Sequence, residues 1–439
     1  MLKYRQCSPV AAFLLLGAVT LLYTSVDAED QSPDWQSVTP TLPAGFRATV
    51  FHPGLGAARH IAVRENGDVY VARSYRLEMP MFGQQAAYGA IVALRDTNGD
   101  GTADVVAEFG PQTITTEVAI RDDWLYFGTD LAVYRIRLDD NLVPAGVAEP
   151  IAGGFPMQRS HADKTFAFDS EGGLYINSGA PSNACESERM KARSPGLDPC
   201  PQLDRSAGIW RFNADELLQD QLRDGERYVT GTRNVLALEW NPWANKLYFA
   251  MHGRDSIGLL WRDLYSREEN AELPAEEFHE ANKGDNFGWP YSYIDPRNGM
   301  RLQAPEYGGD GKRQADGSYR DPLVAFPAHW APMDLIFHSG TNVPDKYAQG
   351  AFIVFHGSWN RIPFEQQGYK VVFVPMRAGK VTGPWEIFAD GFTGKEKLMN
   401  PLDSAYRPVG IAEGPNGEIY ISEDKHGRIW RITWSGPGS

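Results

Sequence analysis

Only 3 of the 439 residues are cysteine, and one of them, Cys7, stands ahead of an apolar N-terminal run. A metal or catalytic role for so few cysteines would need more of them or a paired base. Positive charge is short as well. With 42 Lys and Arg against 56 Asp and Glu, the formal net charge of -14 excludes a basic nucleic-acid binder. Beyond Leu22 no stretch is apolar enough to cross a membrane as a helix, which takes ~20 residues. HExxH, GxSxG and Walker patterns are missing, as is a GxGxxG at a strand-to-helix turn. Zinc-protease, serine-hydrolase, P-loop and nicotinamide chemistry are therefore unsupported.

What is present begins with Lys3, Arg5, an apolar run from Val10 to Leu22, and Ser25-Val26-Asp27-Ala28. That is the layout of a secretory signal peptide over residues 1–28. It leaves 29–439 as a single domain in a periplasmic or secreted protein. In an exported chain thiols oxidise, so Cys185 and Cys200 are expected to form one disulfide across a Gly-, Pro- and Ser-rich loop. Gly 44 and Pro 30, clustered between short apolar runs, favour strands and turns over long helices, and 12% aromatic residues exclude a disordered chain.

A strand-turn-strand unit recurs along the chain. It is clearest from Gly231 to Asp255, GTRNVLALEWNPWANKLYFAMHGRD, where two apolar strands flank a turn and polar residues gather at one end. Further copies begin near Ile61, Val118, Phe166, Leu335 and Val409. Their spacing exceeds the ~40–50 residues of a bare propeller blade. The expectation is an all-β, six-bladed propeller with long loop insertions at one face; an eight-bladed ring and a β-sandwich are the alternatives. FRATVFHPGL near Phe46 and RIWRITW near Arg428 are expected to share one blade and seal the ring. Ser256 to Phe326 reads as the largest insertion, with a helical piece from Arg267 to His279.

Several residues could carry chemistry at the blade ends. His161, just ahead of the third copy, shares its end of the blade with Arg233 and Asn234, and histidine titrates near working pH. Arg233, Arg361 and Arg407 sit at corresponding edges, where three planar guanidinium forks would suit a polycarboxylate. Asp96, Asn98, Asp100 and Asp104, with Gly101 between, have the alternate spacing of a calcium loop but lack its terminal bidentate Glu. A separate structural calcium and a plain Asx turn both fit that stretch.

LPAGF, RDTNGDG, HADKTFAFDSEGGLYINSG, GTRNVLALEW, HGRD, GDNFGWPYSY, HWAP, AFIVFHGSWNR, GYKVV, YRPVGIAEGPNGEIYISED and GRIWRI together resemble the soluble quinoprotein sugar dehydrogenases, within them the sorbosone-dehydrogenase-like group. The resemblance covers most of the chain beyond residue 28. It implies a propeller that binds pyrroloquinoline quinone (PQQ) and calcium at its channel mouth. The implied reaction oxidises a hydroxyl of a sugar or sugar-derived alcohol or aldehyde and passes electrons to an external quinone, cytochrome or dye. By the same resemblance His161 is the general base, Arg233, Asn234, Arg361 and Arg407 hold the cofactor, and the backbone carbonyls of Gly253 and Arg254 hold its calcium. His252 stands where Asn or Gln is expected. Two other readings stay open: a calcium-dependent lactone hydrolase, which wants carboxylates about a central metal, and a non-enzymatic ligand-binding propeller.

Overall fold

A computed structural model of the chain describes residues 34–74 and 90–436. The expected signal peptide, residues 1–28, lies outside the described residues.

Among the described residues the strands form six sheets of propeller type plus a separate hairpin, with antiparallel neighbours except where Gln219–Asp220 pairs parallel with Glu149–Gly153 at the edge of blade 2. The innermost strands are Ala58–Val63, Ile114–Arg121, Phe166–Phe168, Val235–Asn241, Pro332–Phe337 and Pro408–Glu413, one for each of blades 1 to 6. Each recurring sequence unit supplies the two inner strands of a blade. Phe46–His52 pairs with Ile429–Trp434 as the outer edge of blade 6, so both ends of the domain are sewn into one sheet.

The hydrophobic core is divided among the blade interfaces rather than gathered in one centre. Alternate residues of a strand face opposite neighbours because side chains alternate across a sheet. In blade 1, Tyr70 and Ala72 pack toward blade 2, while Val69 and Val71 pack toward blade 6. In blade 6, Ile419 and Ile421 pack toward blade 5 and Tyr420 toward blade 1. Strands covered on both faces read as continuous apolar runs, which is why LYFA and IYIS stood out.

The stretch Ser256 to Phe326 is more than an insertion, because Glu276–Ala281 and Val324–Phe326 complete blade 4. The helix within it spans only Arg267–Glu272, closed at its start by a capping box of Ser266 and Glu269. The inserted part proper is that helix, a short one at Ile257–Leu260, and the hairpin Ser292–Asp295 with Met300–Gln303.

One irregularity positions the site. The inner strands of blades 1, 2, 4, 5 and 6 each shift register close to their first residues. A bulge bends the strand and re-aims side chains. In blades 4, 5 and 6 the shifted segments send Leu236, Met333 and Val409 together as an apolar plug. In blades 1 and 2 they send His60 and Glu117, paired at 3.0 Å, with the His60 Nε2 2.8 Å from the Met333 carbonyl.

Candidate functional site

The starts of the inner strands and the ends of the second strands meet at one mouth of the ring, since the two are antiparallel. Blade 3 brings His161, in the irregular segment ahead of Phe166. Its backbone has φ of 51°, in the left-handed region that a histidine rarely occupies. The ring Nδ1 lies 2.6 Å from the Ala180 carbonyl. Because a carbonyl only accepts, Nδ1 carries the proton and Nε2 keeps its lone pair. Burial first, then the positive charge of Arg233, bring the His161 pKa down to about 3, so the ring is neutral at pH 7. Gly179 permits this approach: a Cβ there would lie 2.6 Å from the His161 Cβ and 3.2 Å from the Asn234 Oδ1.

Arg233 of blade 4, 4% exposed, is held on every side. Its Nε and Nη2 donate to the carbonyl and side-chain oxygen of Asn183, its Nη1 to the Gly253 carbonyl at 2.8 Å, and its Nη2 to Asp255 at 2.8 Å. Burial pushes the Asp255 carboxyl up, but Arg233 first, then His329 and His161, outweigh it and hold the group below its ordinary value. Asp255 also accepts from the Asn360 amide at 2.7 Å. The Asn234 Nδ2 faces His252, whose Nε2 reaches the Pro332 carbonyl of blade 5 at 2.5 Å. His252 thus ties two blades together. Burial is the main reason that its pKa falls to about 4.

The ring of polar contacts continues around the mouth. His356, directly after the second strand of blade 5, places Nε2 2.9 Å from Asp424, the residue in the same position of blade 6. Asp424 also takes Arg59 of blade 1 at 3.0 Å, and its backbone N–H donates to the Arg407 carbonyl. Arg407, 1% exposed, donates to the carbonyls of His356 and Gly357 and lies over the Tyr369 ring at 5.5 Å. Arg59 continues to Thr116 of blade 2, whose hydroxyl donates to Asp163 near His161. Hydrogen bonds thus link blade 4 to blade 5 through His252, blade 5 to blade 6 through His356, blade 6 to blade 1 through Arg59, and Arg59 through Thr116 of blade 2 to Asp163 ahead of blade 3.

Of the residues expected from sequence, His161, Arg233, Asn234, Gly253 and Arg407 come together here. Arg361 does not. Its guanidinium turns away to the Ala271 and Glu365 carbonyls and to Glu272, anchoring the loop to the Arg267–Glu272 helix, while its neighbour Asn360 reaches the cluster. The Arg254 side chain also turns outward, into a buried pair with Glu306 whose side chains are 4% and 2% exposed. In the Asp96–Asp104 loop the oxygens serve the loop itself. Asp96 accepts from the Gly99 and Gly101 amides, Asn98 and Asp100 from amides two residues on, and Asp104 from Thr97. That is an Asx-turn arrangement. Among the described residues no group of three or more His, Cys, Asp or Glu is placed to hold a metal ion.

Cys185 and Cys200 are bonded, with Cα atoms 6.2 Å apart. The disulfide packs against the site's supports: Ala180, Cys185, Cys200 and Trp289 share one apolar cluster, and the Trp289 indole donates to the Asn183 carbonyl that also receives Arg233. Asp255, Asn360, His356 and Asp424 were not singled out from sequence. The signal available was positional: His252, His356 and Asp424 each directly follow the second strand of a repeat unit.

These features define a six-bladed propeller with a buried Leu236–Met333–Val409 cluster on its inner strands and a mouth lined by arginines and neutral histidines. The chain belongs to the TrAA12-like family, whose model matches residues 40–435. It is 28% identical over 201 residues to a pyrroloquinoline quinone-dependent pyranose dehydrogenase of Coprinopsis cinerea, an alignment covering 39% of this chain and 26% of that protein. To a pyrroloquinoline quinone-dependent sugar dehydrogenase of Hypocrea jecorina it is 23% identical over 225 residues, or 47% of this chain and 48% of that one. The matches thus span at most about half the length of these curated relatives. In fold it is similar to the holo pyranose dehydrogenase PQQ domain from Coprinopsis cinerea (TM-score 0.71, 19% identity, 90% of this chain and 97% of that). A soluble aldose sugar dehydrogenase from Escherichia coli in the apo form aligns more loosely (TM-score 0.58, 16% identity, 89% and 100%). The resemblance to soluble quinoprotein dehydrogenases read from the sequence holds at the level of family and fold.

Proposed function

We propose that the protein is a PQQ- and calcium-dependent dehydrogenase that oxidises a CH–OH group of a sugar and passes the electrons to an external acceptor. The observation that carries this is the mouth itself: buried Arg233 and Arg407 beside a histidine whose lone pair is kept free, on a propeller of the TrAA12-like family. The residues fit such a group. In an acidic protein the mouth concentrates arginines, which a tricarboxylate would balance. The side-chain oxygens of Asn234 and Asn360 are sealed from solvent without a partner, as a site awaiting a donor or a hard cation would leave them. Amide and carbonyl oxygens, rather than a cage of carboxylates, would hold the calcium, with Gly253 and Arg254 supplying backbone carbonyls. Arg233, Asn234 and Arg407 would hold the quinone; Arg361, committed elsewhere, would act through the loop it anchors.

When bound, the quinone supplies the two-electron acceptor, and calcium polarises its carbonyl. The chain's own residues do the rest. The His161 Nε2 accepts the hydroxyl proton, with Ala180 fixing the tautomer and Asp255 supplying a nearby negative charge as the ring becomes cationic. Arg233, braced by Asp255 and Asn183, presents fixed positive charge that need not reorganise as negative charge develops.

Among the described residues no helix is long and apolar enough to cross a membrane. A periplasmic or secreted location, a small-molecule sugar partner and an external quinone, cytochrome or dye as acceptor belong to the same proposal. Reconstitution tests it: apo-protein is titrated with pyrroloquinoline quinone and calcium, followed by dye reduction against aldoses, ketoses and alditols. Stoichiometric binding with sugar-dependent dye reduction is expected. Failure to bind the quinone with or without calcium would overturn the proposal and favour a lactone hydrolase or a binding propeller.

A further inference from the structure

Apart from the mouth, an open cleft of about 470 Å³ lies between the loop closed by Cys185 and Cys200 and the inserted hairpin, within the ~300–1,000 Å³ of ligand clefts. Tyr291, Tyr307 and Tyr319 line it with Asp198, Asp316 and Gln303, and among the described residues no lysine or arginine lines it.

The rings are held before any ligand arrives. The Cys200 amide donates to the Tyr291 hydroxyl at 3.0 Å, and the Tyr307 hydroxyl donates to the Ala184 carbonyl at 3.2 Å. These two rings meet edge to face with centroids 4.7 Å apart. Gly196 backs the Tyr307 ring so closely that a Cβ there would lie 2.2 Å from its Cζ. Rings fixed in this way lose little freedom when a ligand settles on them. The acceptors, by contrast, are uncommitted. Asp198 and Asp316 are exposed, and among the described residues neither has a hydrogen-bond or ion-pair partner. The Gln303 amide nitrogen is taken by the Tyr307 carbonyl, which leaves its oxygen as a further acceptor.

This inventory selects a ligand class. Two carboxylates with no basic residue beside them in the lining disfavour a phosphate or another acid. A surplus of acceptors wants a partner rich in hydroxyl donors, and flat rings want a partner with apolar C–H faces. A pyranose has both. An organic cation would also suit tyrosines and aspartates, but Arg301 already lies over the Tyr319 ring at 5.8 Å and takes the cation's place there.

We propose that this cleft binds pyranose units of an oligosaccharide, at a site separate from the one where a sugar would be oxidised. Binding here needs neither quinone nor calcium, so it stands independently of the dehydrogenase proposal. The cleft and the mouth share a wall. Glu306 borders the cleft and pairs with Arg254, and the Ala184 carbonyl that receives Tyr307 adjoins Asn183, which holds Arg233. A glycan anchored in the cleft is thereby kept beside the mouth.

The test is calorimetric titration of the full chain without quinone, using cellotetraose and maltotetraose as probes and choline as the cation control. A tetrasaccharide is expected to bind. Tyr319→Ala should weaken it about tenfold, the scale of one stacked ring, and Asp316→Asn several-fold. Both variants should keep the parent's glucose-dependent dye reduction after reconstitution, and His161→Ala should leave the tetrasaccharide affinity unchanged. Binding of neither tetrasaccharide overturns the proposal, as does choline binding in their place. Binding that Tyr319→Ala and Asp316→Asn leave intact, or that added pyrroloquinoline quinone displaces, puts the sugar elsewhere and overturns it too. Tetrasaccharide binding to the cleft in a chain that takes up no quinone keeps this site and sinks the dehydrogenase reading, which separates the two failures.

Discussion

Two acidic regions of this molecule use the same side chains to opposite ends. In the loop from Asp96 to Asp104, between the outer strands of blade 1, carboxylates bind amides at most seven residues away, and the loop remains largely exposed. At the mouth, Asp255 joins residues 22 and 105 positions away, and Asp424 reaches Arg59 across 365 positions. The first arrangement satisfies a turn. The second fixes charges from different blades against one another and leaves a few polar atoms unspent. Spacing along the chain therefore advertises the loop and conceals the mouth, although the mouth has the chemistry.

The contrast breaks most visibly if His161 is replaced. His161→Ala is expected to lower turnover by ~10²–10⁴ while leaving quinone affinity largely intact, as steady-state kinetics beside a binding titration would read. A change in affinity alone would make His161 a scaffold. Next in size is Asp255→Ala. It strands a buried Arg233, and breaking a buried pair costs about 3 kcal/mol, toward the low end because the Asp255 side chain keeps 29% exposure. Denaturant unfolding should show the loss, together with weaker quinone binding.

Much of this architecture is legible in the sequence. Continuous apolar runs such as VYVA, LYFA and IYIS mark strands covered on both faces, and the pairing of the Phe46 and Arg428 stretches follows from an unpaired strand at each end. Blade 4's third strand was hidden because Glu276, Glu277 and His279, buried at 3%, 4% and 1%, do not read as a core strand. Glu276 is there to bind the Gly253 and Ala331 amides, so a charged sequence was the requirement of the site rather than of the sheet. Arg361 misled for the opposite reason: its position along the repeat is right, but side-chain direction is set by the inserted helix, which no repeat encodes.

The mouth's supports should respond on a smaller scale. Cys185→Ser with Cys200→Ser opens a loop with a sequence separation of 15, for which loop entropy alone gives about 3 kcal/mol, and measured losses often fall below it. Since Ala180 packs against both cysteines and Asn183 directly precedes Ala184 and Cys185, turnover should fall along with stability; unchanged turnover would detach the disulfide from the site. Glu276 offers a pH test. Its pKa is raised to about 8, chiefly by burial, so the folded chain keeps a proton that the unfolded chain releases near its ordinary value, and stability declines as pH rises until about 8. The mouth histidines act in the other sense, since their lowered values make stability fall as pH drops below 6.5, and above that they are silent. Between pH 6.5 and 8 Glu276 is thus expected to take up to about 2 kcal/mol from the unfolding free energy, beside the share of Glu239, whose pKa burial also raises to about 8, and Glu276→Gln to lessen the drop without abolishing it.

The smallest effect should come from the exposed loop, and its smallness is informative. Asp96→Asn keeps an acceptor for the Gly99 or Gly101 amide but loses the charge and one of the two bonds, about 1 kcal/mol at a partly exposed site. If the loop only closes a turn, the variant should keep the parent's turnover, and calcium should stabilise both proteins equally in thermal unfolding. If the loop binds a cation of its own, the parent alone should gain stability as calcium rises, by the mass-action increment of one site, and Asp96→Asn should abolish that increment while the mouth still takes up quinone. The two acidic regions would then differ in reach but not in kind, and the local motif would have been a second metal site.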